Sequence, residues 1–346
     1  MTASPNMVRY SLIFLFTTAL LRAEICACTV PVFRYALDHW EADKFHLVLP
    51  ASASGDSALT DALRPLRANG KANLDITTSK DAAVTTAVLN SSRENGKPVW
   101  TGTLDKAALQ MLLDSPGRKK IVEQILAGDS AIWVIVEGGT PEDKAAVERI
   151  EKRLKFLEQV ASLPIQDPND PDSQLGPGPA LKLKFTTLRL RRDDPAEKAL
   201  LPMLAGPKGT FDPATTSFAA AVFGKGRVLG AWPLSNLDDA SLEDACMFLV
   251  GRCGCRLKNE NPGWDLLLNV DWEKALLAAG QPEIAAPVSS PEAVVIKSQI
   301  DLSELTDQSE ASSVASRRRP LLIASAGLFL AAIVAFFLFR GGQKSA

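Results

Sequence analysis

Histidine is almost missing from this chain: His39 and His46 are the only two in 346 residues. A mechanism that needs an imidazole must use one of them, and neither has a partner at ligand-like spacing. Gly55-Asp56-Ser57 and Gly128-Asp129-Ser130 look like fragments of a hydrolase motif, but there is no G-x-S-x-G elbow and both histidines lie upstream. Turn and helix-cap roles account for both triplets. Gly206-Pro207-Lys208-Gly209-Thr210 and Gly224-Lys225-Gly226 lack the spacing of a phosphate-binding loop. Excess charge is lacking too, with 38 basic against 40 acidic residues and a net charge of −2. That balance supplies no basic field, so no nucleic-acid partner is expected. Five cysteines are too few for a disulfide scaffold at this length. No motif points to a cofactor.

What the chain does have is one long hydrophobic run. Leu321 to Phe339 is nineteen residues without a charge, bounded by Arg317-Arg318-Arg319-Pro320 and by Arg340. A helix of that length covers about 28 Å, close to the hydrocarbon thickness of a bilayer. Residues 320–340 therefore read as a transmembrane helix, making the membrane a partner and 341–346 a cytoplasmic tail. At the other end, Arg9 precedes the apolar Tyr10 to Leu21 and the small residue Ala23, the layout of a secretory signal peptide over 1–23. Two alternatives are a lipobox-like Ile25-Cys26-Ala27-Cys28 and a buried N-terminal element. Export followed by a stop leaves the body outside the cytoplasm, at the cell membrane. Arg317, Arg318 and Arg319 then lie on the outer side, against the positive-inside bias, which a tail-anchored cytoplasmic protein would satisfy. Export is adopted because an N-terminal signal acts before the last helix emerges.

Between these ends the pattern alternates strand and helix. Pro31 with Phe33, Leu37 and Trp40 describes an amphipathic helix, FHLVL at 45–49 a strand, and 57–66 a helix. Asn73 to Thr78 and Val99-Trp100 suggest further strands, and helices follow over 104–113 and 116–127. Ala131 to Val136 is apolar throughout, as in a strand covered on both faces. Thr140-Pro141-Glu142-Asp143 starts a helix whose buried stripe is Val147, Ile150, Leu154 and Leu157. These elements predict an α/β domain over 24–161. A Pro-, Asp- and Gly-rich linker or long loop follows at 162–180. A second, smaller α/β unit covers 181–280, with a strand at 181–191, a short helix from Pro195, a hairpin over 218–232, and helices at 241–250 and 265–278. Residues 281–319 read as a solvated stalk.

Two short cysteine pairs carry what chemistry the sequence offers: Cys26-Ala27-Cys28 and Cys253-Gly254-Cys255. A thiol at a helix N-terminus is acidified, which suits thiol–disulfide exchange with Cys28 as nucleophile and Cys26 as resolving thiol. Four thiolates from two meeting pairs would instead suit zinc or Cu(I), although C-x-C is not the zinc-ribbon spacing. Structural disulfides or buried thiols are the third reading. Cys246, on the apolar face of its helix, reads as core. Asn261-Pro262-Gly263, just after Cys255, is a turn that could help shape a binding site.

At CACTVPVFRYALDHW, GDSAIWVIVEGG and FLVGRCGCRLKNENPGWDLL the chain resembles an uncharacterised family of exported, membrane-anchored bacterial proteins. The resemblance covers most of residues 26–277 and rests on the strings CxC-x-VPVFRYAL and CxC-x-x-K-x-x-NPG-x-DLL. It implies a thioredoxin-like layered unit and carries no activity. The expected protein is thus a thioredoxin-like α/β unit plus a second α/β unit on one C-terminal transmembrane helix. Its expected role is extracytoplasmic binding or scaffolding with an envelope protein partner, and the alternative is a membrane-tethered thiol–disulfide oxidoreductase.

Overall fold

A computed structural model describes residues 29–81, 83–91, 98–167, 169–253 and 257–280. The chain divides into two units, Met1–Ile284 and Ala285–Ala346, and every described residue belongs to the first. The signal segment 1–23, Cys26, Cys28, Cys255, the stalk, the 320–340 span and the tail lie outside the described residues. Among the described residues no helix is long and apolar enough to cross a membrane.

The body is a mixed α/β structure with two sheets. Helix α1 (Val32–His39) leads into β1 (Phe45–Leu49), whose alternation buries Phe45, Leu47 and Leu49 on one face. Helix α2 (Ser57–Asn69) starts where the Asp56 carboxylate accepts the Leu59 N–H. It carries the chain over to β2 (Leu74–Thr78), parallel to β1. Strands β3 (Ala87–Asn90) and β4 (Trp100–Gly102) return antiparallel on the other side, so the order is β2-β1-β3-β4. Helices α3 (Lys106–Leu113) and α4 (Pro116–Leu126) follow.

The second sheet repeats this order. Strand β5 (Ala131–Glu137) is followed by the twenty-residue α5 (Pro141–Val160), capped by Thr140, and then by β6 (Phe185–Arg191), parallel to β5 along all seven residues. A short helix α6 (Leu200–Ala205) precedes β7 (Phe218–Phe223) and β8 (Arg227–Pro233), both antiparallel. The sheet reads β6-β5-β7-β8, with β9 (Trp264–Asp265) added at the edge. Helix α7 (Asp239–Val250) follows β8 as α3 follows β4, and α8 (Trp272–Ala279) closes the described chain. The body is two copies of one α-β-α-β-β-β-α plan.

Strand β5 sits at the centre. Ala131, Trp133 and Ile135 face a core built with α1, α5 and α7. Ile132, Val134 and Val136 face a second core, shared with the inner face of the first sheet, α2, α3, α4 and α6. Helix α1 occupies the place in the first copy that α4 holds in the second, yet it packs on the second sheet. The outer face of the first sheet is correspondingly wet, with His46, Thr77 and Thr101 exposed.

The structure adds to the sequence reading at three places. The 162–180 segment is part of the crossover from β5 to β6, because those strands pair across it and a parallel pair requires a long return. It is pinned as well: the buried Arg34 guanidinium donates to the carbonyls of Pro179 and Gly176, while the Gly176 N–H donates to Asp38 Oδ2 at 2.9 Å. Residues 265–271 form a strand end and an extended strap, with helix only from Trp272. Strand β3 has no counterpart in the sequence reading, and the short helix read from Pro195 is a 3-10 turn, Pro195–Glu197, followed by α6.

Candidate functional site

Of the residues singled out by sequence, Cys253 is buried at 3% exposure, and its backbone N–H donates to the Val30 carbonyl. The Pro31–Arg252 bridge runs the two segments antiparallel at this point. Helix α1 begins at Val32 with Pro31 as its N-cap, and Cys26 and Cys28 lie outside the described residues. Cys246 is fully buried, and the loss of solvation pushes its thiol up to about 12. That is the signature of an inert core thiol. Among the described residues no group of three His, Cys, Asp or Glu side chains could hold a metal ion.

Asn261, Pro262 and Gly263 are placed by a residue the sequence reading passed over, Arg227 at the start of β8. Its buried guanidinium donates to the carbonyls of Pro262 (3.2 Å), Asn261 (3.0 Å) and Gly263 (3.3 Å), and to Asp265 Oδ1 (3.3 Å). Its other face lies 5.5 Å from the centre of the Trp40 ring, a cation–π distance. Gly263 has φ +110, and a Cβ there would collide with the Val228 carbonyl, so only glycine closes this loop. Lys258 extends the knot to Asp265 and Asp43 (2.7 Å), and the Asp43 N–H donates to Asp265 Oδ2 at 2.5 Å. Each buried charge has a partner, as low-dielectric burial requires. VFRYALDHW and KNENPGWDLL therefore meet as one structural joint.

A second knot lies nearby. Glu197, on a 3-10 turn after β6, accepts from the Ser115 hydroxyl (2.7 Å) and the Gly117 N–H (2.6 Å) at the start of α4. Arg118 donates to the Leu267 carbonyl at 3.1 Å. Burial pushes this guanidinium down to about 10, opposed by the nearby Glu197 charge. It remains charged at neutral pH.

The Arg227 joint sets the wall of a cavity of about 430 Å³ between the first sheet and α6. Phe45 and Val99 form one side; Met203, Phe211 and the 206–213 loop form the other. Trp264 stands between them, its indole N–H donating to the Met203 carbonyl at 2.7 Å. Gly206, at φ +89, lies so close that a Cβ would come within 2.5 Å of the Trp264 ring. Such an apolar hollow with few polar groups has the size and character of a small-ligand site. The sequence signal was Trp264 itself, an aromatic directly after a turn; its opposing wall, some sixty residues earlier in the chain, left no mark in the local pattern. No known protein family, curated protein or solved structure matches this chain.

Proposed function

We propose that this chain is a binding protein of a bacterial cell envelope, anchored by the 320–340 helix with its body outside the cytoplasm, and that the cavity beside Trp264 is its ligand seat. The carrying observation is that cavity: both sheets contribute to it, and a buried ionic joint fixes its aromatic wall. Each half is read as thioredoxin-like, because a parallel βαβ pair followed by two antiparallel strands in the order 2-1-3-4 is that plan. The helix after the first strand of each half begins at Asp56-Ser57 and at Thr140-Pro141, where a redox unit would carry its cysteines. This favours binding over exchange. The family resemblance and the envelope location stand within the same proposal.

A photo-crosslinking amino acid at Phe211 is expected to give an adduct in intact cells that the cavity-filling Val99→Trp removes. Adducts no different from those of the same crosslinker at exposed Lys144 would overturn the reading. A periplasmic reporter fused after residue 280 is expected to be active and a cytosolic one silent; the reverse would move the body inside.

The redox alternative draws on one observation, the antiparallel Pro31–Arg252 bridge, which joins the start of α1 to the residue before Cys253. Thiol trapping with mass mapping decides it. A labile bridge within 26–28 or 253–255 that equilibrates with glutathione supports exchange, and inert thiols remove it.

A further inference from the structure

We infer that the cavity beside Trp264 selects an apolar ligand that carries a positive charge, an aromatic or alkyl ammonium; this rests on the cavity being a ligand seat. Among the described lining residues the only charged groups are two carboxylates, Asp212 and Asp265. Asp265 is already neutralised by Arg227 and Lys258 and accepts the Asp43 N–H. Asp212 is different. It is exposed, one oxygen accepts the Ala214 N–H at 3.0 Å, and it forms no ion pair among the described residues. Ser91 adds a buried hydroxyl oxygen with no hydrogen-bond partner among them. The Trp264 N–H, the obvious donor on the wall, is occupied by the Met203 carbonyl.

The charged groups of the described lining are thus negative, and most of the remaining lining side chains are apolar. A carboxylate or phosphate would meet Asp212 with no cation among the described lining residues to offset it. A neutral ligand would offer Asp212 only an uncharged donor, whereas an ammonium brings three charged ones; the Ser91 hydroxyl, both donor and acceptor, can serve either. An aromatic ring with a two-carbon arm fits the volume, with its ring against Trp264 and Phe211.

The test uses the full chain in nanodiscs, labelled with 5-fluorotryptophan, the Trp264 fluorine signal being identified by its loss in Trp264→Phe. Three probes of matched shape are titrated: phenylethylamine, phenylethanol and phenylpropanoate. The amine is expected to shift the Trp264 signal about tenfold more tightly than the alcohol, with the carboxylate weakest. Asp212→Asn is expected to erase the advantage of the amine and leave the alcohol unchanged. Equal binding of amine and alcohol, or an amine advantage that survives Asp212→Asn, overturns the charge selection while the cavity stands as a seat. Failure of all three probes, or shifts that persist in a Val99→Trp variant of unchanged circular dichroism, overturns the seat and with it the binding reading.

Discussion

Arg227 donates to three consecutive carbonyls of the 261–263 turn, pairs with Asp265 and stacks on Trp40, so the loop is folded around a charge that water does not reach. Arg227→Ala leaves Asp265 short of a partner and frees those carbonyls. It is expected to cost about 3–5 kcal/mol, measured by urea unfolding of the body. Gly206→Ala drives a methyl into the Trp264 ring at a positive φ and is expected to cost about 1 kcal/mol or more, with a red shift of the Trp264 emission. Cys246 supplies a pH test. Its thiol is held protonated in the fold up to about 12, against an ordinary value of 9.0, so its contribution is whole below pH 9 and is lost as pH rises towards 12. The stability difference between the parent and Cys246→Ala is expected to shrink across that window, and the parent thiol to resist iodoacetamide at pH 8 until the protein is unfolded. A thiol that alkylates in the folded state would contradict the burial.

Among the elements, the strap that follows β9 ties the two halves together. Leu266, Leu267 and Leu268 are all buried between the sheets, and the Ala72–Asn269 bridge joins the strap to the approach of β2. The Asn73 side chain holds it with two bonds, its amide donating to the Leu266 carbonyl and its oxygen accepting the Leu268 N–H at 2.8 Å, while the amide also donates to the Asp43 carbonyl. Asn73→Ala strands those buried groups and is expected to destabilise the body by about 1–3 kcal/mol, with the first hydrogen-exchange change at 266–270. A continuous apolar run of three leucines carries no period, so its sequence fits helix and buried strand equally. Where the neighbours of a segment come from distant chain, as with the 266–268 strap held by Asn73, local pattern gave no sign. Capped helices were different. Ser115-Pro116 and Thr140-Pro141 carry their start signals within four residues, and both helices begin there.

For the whole molecule, the repeated plan places the proline-rich stretch inside a strand crossover. Each copy must cross from its first strand to a parallel second one, and in the second copy that crossover includes 161–184. Cutting there removes β6 from β5 and exposes the central strand of both cores. Residues 24–161 and 181–280 produced separately are expected to be insoluble or unfolded by circular dichroism, while 24–280 unfolds in one transition; independent folding of either piece would reinstate the boundary.

The sequence by itself determined the alternation of strands and helices, the double burial of β5 and the caps, because each is written in neighbouring residues. It also carries the apolar 321–339 run, from which the membrane reading comes. The tertiary structure alone decided that α1 packs on the second sheet, that Arg227 organises the NPG turn, and that Phe45, Met203 and Trp264 enclose one cavity. Those depend on residues far apart in the chain, whose approach is set by the packing of two sheets and by the need of every buried charge for a partner.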